Sequence, residues 1–349
     1  MKLHPLLDDP LAVVIARTAV SEPVAWDDYH RAARQAMTAM RIEPEGEALV
    51  IKPNVTVGEE YANPDSGITT HPGFVHGLID SVLEGGYPPE RLTILEDPRN
   101  SNDDEPRHWQ GTGYPEVQDR TGVVLHSPTV ETCVTQAVPR PLCHPELPVS
   151  ELAVAPDTVL LNVPKMKTHN LGITTLCLKN LMGVVHVLDR HFCGQAKREM
   201  PETRLYQGQP KRTWMDRALH ETWQAGLARR LIDLAQIVQP TFNIVEGVVA
   251  REGTGFNRGR NRTLGLCVAG RNMVAVDSVT SALMGFDPGA LVYLRMATEA
   301  GLGTNDLAQL RIYEVADGTI VPCRDLDAFR VRPPLRVISD IKGEDVTFA

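Results

Sequence analysis

Residues 159–183 read VLLNVPKMKTHNLGITTLCLKNLMG, and the chain is organised around them. Val159–Val163 is mostly apolar, which predicts a buried strand. Pro164 has no N–H to give to a ladder and predicts the end of that strand. Lys165, Lys167 and His169 alternate with other residues, so in an extended chain they project to one side. Leu171–Met182 has helix length, with Asn170 as candidate N-cap and Gly183 as stop. Lys179 and Asn180 stand inside this otherwise apolar run. Open α/β sheets bind ligands beyond the carboxyl ends of their strands, and helix N-termini favour anions. A strand end, a cationic cluster and a helix start in succession therefore predict an anion or substrate site. Isolated lysines are usually solvated, but a buried ammonium is costly unless paired, which argues that Lys179 is there for use.

Outward from this stretch, Leu11–Ala16, Ala48–Ile51, Leu92–Leu95 and Phe242–Val249 read as strands. Trp26–Met40, a helix opened by Thr70 and Pro72, Met273–Met284 and Leu291–Ala300 read as helices, as does the stripe Leu219, Trp223, Leu227, Leu231, Leu234 and Val238. The alternation predicts an α/β fold, with a mixed or mostly parallel sheet flanked by helices and irregular insertions. Gly122–Leu125 and Thr132–Val138 are candidate strands. The loop 251–262 brings Arg251 close to glycines and reads equally as an anion cradle or a hairpin turn, with Leu264–Val268 as the second strand. Leu310–Ile338 alternates Gly/Pro turns with short β-like runs. We expect one α/β unit over 1–309 and a small β-rich segment appended over 310–349. Arg99–Gly113 and a stretch at 184–213 lack a core-facing stripe and are expected to act as covers over the site.

Further pieces carry a family pattern. NVPKMKTH followed by LKNLMG, IKPNV at 51–55, THPGFV at 70–75, IVQPTFNIVEGVVAREGTG at 237–255, AVDSVTSALMGFDP at 275–288 and ATEAGLG at 297–303 together resemble the proteins grouped as domain of unknown function 362. The resemblance extends over most of the chain and implies a fold more directly than a reaction. It also implies a functional histidine shortly after KNLMG, which His191 matches. Some relatives resemble fusions to ferredoxin-like cysteine motifs, which implies electron transfer. This chain lacks those motifs.

The 349 residues carry a formal net charge of −9 and no long basic run, which argues against nucleic acid as partner. An acidic balance makes a local basic cluster more informative. The six cysteines, at 133, 143, 177, 193, 267 and 323, form no C-x-x-C. The sequence thus predicts neither a structural zinc nor an intrinsic iron–sulfur cluster, and no cofactor is expected. Scattered cysteines and the lack of a membrane span or secretory leader predict a cytoplasmic protein. The phosphate-binding P-loop, the dinucleotide-binding G-x-G-x-x-G and the hydrolase G-x-S-x-G are all absent. No close pair of metal ligands stands out among His71, His169, His186 and His191.

Lys52, Lys165, Lys167 and Arg251 follow or adjoin strand ends, and with Lys179 they would form a cationic pocket for a carboxylate, phosphate or sulfate. Crowding would depress a lysine pKa, making Lys167 or Lys179 a candidate general base, with His191 as a third candidate. Asn54, His169 and Asn180 are candidates for orienting substrate. Glu246 and Asp277 are candidates for binding an amine or balancing the lysines. These residues favour an enzyme acting on a small anionic metabolite, by elimination or intramolecular substitution with a sulfate or phosphate leaving group. The other readings are a redox protein working with a separate iron–sulfur partner, and a non-catalytic anion-binding subunit. A protein partner or a second copy of the chain is compatible with each.

Overall fold

Runs rich in Val, Ile and Leu at 12–16, 49–51, 159–163 and 242–249 suit strands buried on both faces. The computed structural model describes residues 1–46, 48–55, 63–98, 106–186, 189, 191–199, 217–339, 341 and 345–346. Its strands are β1 (Ala12–Arg17), β2 (Ala48–Pro53), β3 (Leu92–Leu95), β4 (Val124–His126), β5 (Cys133–Ala137), β6 (Glu146–Ser150), β7 (Thr158–Val163), β8 (Lys165–His169), β9 (Ile173–Thr175), β10 (Phe242–Arg251), β11 (Asn261–Gly270), β12 (Arg311–Ala316), β13 (Thr319–Pro322), β14 (Val337–Ile338) and β15 (Asp345–Val346). The main sheet runs β13-β12-β1-β11-β10-β7-β2-β3-β4. Pairing is parallel for β10-β7, β7-β2, β2-β3 and β3-β4, and antiparallel where β11 joins β10 and β1.

Alternate residues face two separate cores, as a period of two requires. Val13, Val50, Leu160, Val245 and Val268 pack towards the helices Arg217–Ile237, Met273–Met284 and Val292–Glu299. Val14, Leu49, Ile51, Leu161 and Ile244 pack towards the helices Trp26–Met40 and Pro72–Glu84. The result is the expected mixed, mostly parallel sheet with helices on both faces.

The central stretch follows the sequence reading as far as Pro164 and departs from it beyond. β7 ends at Val163, as expected of the proline, and a separate strand, β8, starts at Lys165. β10 pairs with β7 at Phe242 and Asn243, then with β8 at Glu246 and Arg251, so both strands lie along the same neighbour. The helix expected over Leu171–Met182 is not formed as such. β8 turns back into β9, a single helical turn follows at Cys177–Asn180, and Leu181–Val184 is a 3-10 turn. His169 Nδ1 accepts the N–H groups of Leu171 and Gly172 and sets the turn, and the β-branched Ile173, Thr174 and Thr175 favour a strand. Ile173 sits at φ 68°, a strained position for a β-branched residue. Asn170 does not cap the turn at Cys177. Asp277 does so from another helix, accepting from the N–H groups of Cys177 and Leu178.

The segment from 310 onward is less separate than expected. β12 pairs in parallel with β1, and β13 extends the main sheet beyond it. The edge of β1 needed a partner for its N–H and C=O groups, and the alternating run 311–316 provides it. The loop 251–261 is the connection of the β10-β11 hairpin. Of the two expected covers, residues 99–105, 187–188, 190 and 200–213 lie outside the described residues. The described remainder includes the short helices Pro106–Trp109 and Phe192–Glu199.

Candidate active site

Parallel strands present their carboxyl ends along one edge, and the chain places polar residues there repeatedly. β2 ends in Lys52-Pro53-Asn54, β3 is followed by Glu96-Asp97, and β8 itself carries Lys167 and His169. A cavity of about 560 Å³ opens at this edge, lined among others by Asn54, Glu96, Asp97, Lys167, His169, Lys179, Asn180, His191, Cys193 and Phe256.

The four central lysines separate into two kinds. Lys52 is fully buried beneath the cavity, with Nζ 2.7 Å from Glu96 Oε2, an ion pair whose angles fall outside hydrogen-bond geometry. It donates to Pro53 O at 2.6 Å and weakly to Asn180 Oδ1 at 3.5 Å. Gly183 makes room for this pair: a Cβ there would lie 1.7 Å from Glu96 Oε2 and 2.7 Å from Lys52 Cε. Lys165 does not line the cavity. Its Nζ donates to Glu246 Oε2 at 2.6 Å and lies over the Tyr29 ring, within the core. The expectation that Lys52 and Lys165 line the pocket is corrected on this point, because each is matched by its own buried carboxylate.

Lys167 and Lys179 do line the cavity. Lys167 Nζ donates to Ile68 O at 2.9 Å and lies 5.2 Å from the centre of the Phe256 ring. Burial, with Lys179 and Lys165 nearby, holds the Lys167 amine well below its ordinary pKa, and the opposing pull of Glu96 is smaller. Lys179 is half-buried and makes no hydrogen bond or ion pair with a described residue.

Amides set the position of the turn that carries Lys179. Asn180 Nδ2 donates to Lys52 O and to Asn162 Oδ1, Asn162 Nδ2 donates to Asn243 Oδ1 and to Cys177 O, and Asn243 Nδ2 donates to Gly270 O and Arg271 O. This row crosses β7 and β10 and ties the turn to the sheet. Asn180 is therefore chiefly a positioning residue. Asn54, at the cavity wall, accepts from nothing among the described residues through its buried Oδ1. His169 uses Nδ1 as an acceptor, so its neutral ring carries the proton on Nε2.

Three other candidates lie elsewhere. Glu246 is fully buried and accepts from Lys165 and from the N–H groups of His71, Val248 and Val249. Arg251 holds its own hairpin through Phe256 O, Asn257 O and Asn261 Oδ1. Asp277 caps the Cys177 turn, and burial raises its pKa to about 7. Of the alternatives open for these residues, Glu246 takes the balancing of a lysine and Arg251 the hairpin turn, while Asp277 meets backbone N–H groups. Conversely, Glu96, Asp97, Cys193 and Phe256 line the cavity and were not singled out. Glu96 and Asp97 follow β3 as Asn54 follows β2, so the strand-end rule would have found them.

The model of the family described as Domain of unknown function (DUF362) matches residues 49–282, and the chain belongs to that family. The match contains all the strands that build the cavity. A thylakoid-associated protein of Synechocystis sp. is 25% identical over 265 residues, which is 75% of this chain and 70% of that one. Two solved structures are similar at a low level. The lactate racemase apoprotein of Thermoanaerobacterium thermosaccharolyticum matches with TM-score 0.42 and 13% identity over 76% of this chain, and a Thermotoga maritima protein with TM-score 0.43 and 10% identity over the same share. The chain spans 56% and 60% of their lengths, and likeness at that level carries no conclusion about activity. No helix among the described residues is long and apolar enough to cross a membrane.

Proposed function

We propose that the cavity is the active site of an enzyme that takes a proton from a small anionic metabolite and stabilises the charge that develops. The observation behind this is the pairing of unlike lysines on one wall. Lys167 is held towards its neutral form by burial and so is suited to accept a proton. Lys179 is half-buried, and its ammonium has no carboxylate partner among the described residues, so it is suited to hold an anion. Asn54 Oδ1 would accept a substrate N–H or O–H.

The finer reading is elimination or intramolecular substitution. Lys167 Nζ takes the substrate proton. The electron pair then forms the new double bond, or the freed nucleophile closes a ring, and the bond to sulfate or phosphate breaks. Lys179 faces the departing oxyanion. The test is to offer sulfate and phosphate esters of hydroxy acids and amino alcohols in deuterated water, following anion release and deuterium uptake. We expect release with the native protein and its loss in Lys167→Met. Tight binding of these anions with neither release nor exchange would favour a non-catalytic anion-binding subunit. The electron-transfer reading has no comparable observation behind it.

A further inference from the structure

The helices Trp26–Met40 and Pro72–Glu84 cross very closely at Gly77. A Cβ at that position would sit 2.4 Å from His30 O and 2.9 Å from Ala33 Cβ. The missing side chain lets His30 of one helix meet the neighbours of Gly77 on the other. His76 and Asp80, separated by one helical turn, share that face. His30 Nε2 lies 2.8 Å from Asp80 Oδ2, and His76 Nε2 lies 3.5 Å from the same oxygen. One ligand atom from each of the three residues lies within 4.8 Å of those from the others.

From this geometry we propose that His30, His76 and Asp80 bind a divalent transition-metal ion of the zinc class, at a site separate from the cavity. Two imidazoles and one carboxylate are a donor set suited to Zn²⁺, leaving a fourth position for water. Tetrahedral bonds of about 2.0–2.1 Å put donor atoms roughly 3.3 Å apart. The observed 2.8 and 3.5 Å separations from Asp80 fall on either side of that value, and the two imidazole donors lie within 4.8 Å of each other, close enough for side-chain rotation to bring the three onto one ion. His76 is buried, while His30 and Asp80 are half-exposed, so an ion can enter from solvent without unfolding the helices.

Trp26 makes the proposal specific. Its Nε1–H donates to His76 Nδ1 at 3.3 Å, which leaves the proton of neutral His76 on Nε2, towards Asp80. Metal at Nε2 displaces that proton, and a neutral metal-bound ring then carries N–H at Nδ1, facing another donor. The Trp26 hydrogen bond must open, and its indole environment must change. Arg120 stacked on Trp26 and Asp80 beside both histidines are the charged groups that feel the ion first.

The experiment is titration of the metal-stripped full chain with Zn²⁺ against a chromophoric chelator, repeated with Co²⁺ as an optical probe. We expect one equivalent bound, a Co²⁺ spectrum of low coordination number, and a change in indole emission that Trp26→Phe removes. Asp80→Asn and His30→Gln, both close in size to the native residues, should each weaken binding about tenfold or more. Substoichiometric binding, or binding as tight in both variants as in the native chain, would overturn the site. Neither result bears on anion release at the cavity.

Discussion

Lys165 Nζ donates to Glu246 Oε2 across 2.6 Å between neighbouring parallel strands, and neither side chain reaches solvent. Removing one member of such a pair strands the other charge in the core. Lys165→Met should cost about 3–5 kcal/mol in chemical denaturation. Glu246→Leu should cost more, because it also orphans the N–H groups of Val248 and Val249. The double variant should recover part of the loss from Lys165→Met. Additive losses would show that the two groups do not act as a pair.

The cavity lysines should behave differently from each other. Lys179→Met should weaken calorimetric binding of sulfate or phosphate by about 1.5–3 kcal/mol, the range for a lost charged hydrogen bond. Lys167→Met should weaken it less, because the Lys167 amine is already held towards its neutral form. It should also raise the melting temperature of the ligand-free protein, since a buried amine that resists charging is replaced by an apolar chain. Equal losses of anion affinity in the two variants would contradict this division.

Asp277 makes stability fall as pH rises. Burial lifts its pKa from the ordinary carboxylate range to about 7. Between those values the folded chain binds the proton more tightly than the unfolded chain does. The stabilisation is complete below the unfolded pKa of about 3.9 and is lost as pH climbs through about 7. Melting curves across that window should flatten in Asp277→Asn. An unchanged slope would show that the carboxylate stays ionised under its two N–H donors.

His71 acts in the opposite direction. It stacks on Tyr29 at 3.7 Å, accepts from Gly73 N–H through Nδ1, and is held down to about 3 by burial and then by Lys165. The unfolded chain takes up this proton first, so the stabilisation is present above about 6.5 and is lost as pH falls towards 3. His71→Gln should lower stability at neutral pH yet reduce its acid sensitivity. Acid unfolding with an unaltered midpoint and slope would rule this contribution out.

The frame was legible wherever periodicity was local. Trp26–Met40, Leu92–Leu95 and Met273–Met284 have the same bounds in the sequence reading and in the structure. Strand ends drew attention to Asn54, Lys167 and His169, and these residues line the cavity together with Lys179. What escaped depends on contacts between distant residues. Glu246 was a candidate to balance a lysine, but nothing in the sequence says that the lysine is Lys165, and nothing near Cys177 announces that Asp277 caps it from a hundred residues away. The helix expected from Leu171 failed for a local reason. Three β-branched residues outweighed an apolar run whose length suits either state. The cluster of His30, His76 and Asp80 combines both cases: one helical turn links two members, and the third arrives only through the packing at Gly77.

The row Asn180, Asn162 and Asn243 also constrains how the chain can diverge. Each amide spends its donors and its acceptor on fixed partners in neighbouring elements. An apolar replacement at any one of them leaves its neighbour with a dry, unmatched oxygen or N–H. An acid replaces a required donor with a second acceptor. Drift at these three positions must therefore be concerted, and a lineage that abandons one amide must rebuild the others together. The rest of the cavity wall is free to vary residue by residue, while this row, which reaches the wall at Asn180, changes as a block or stays.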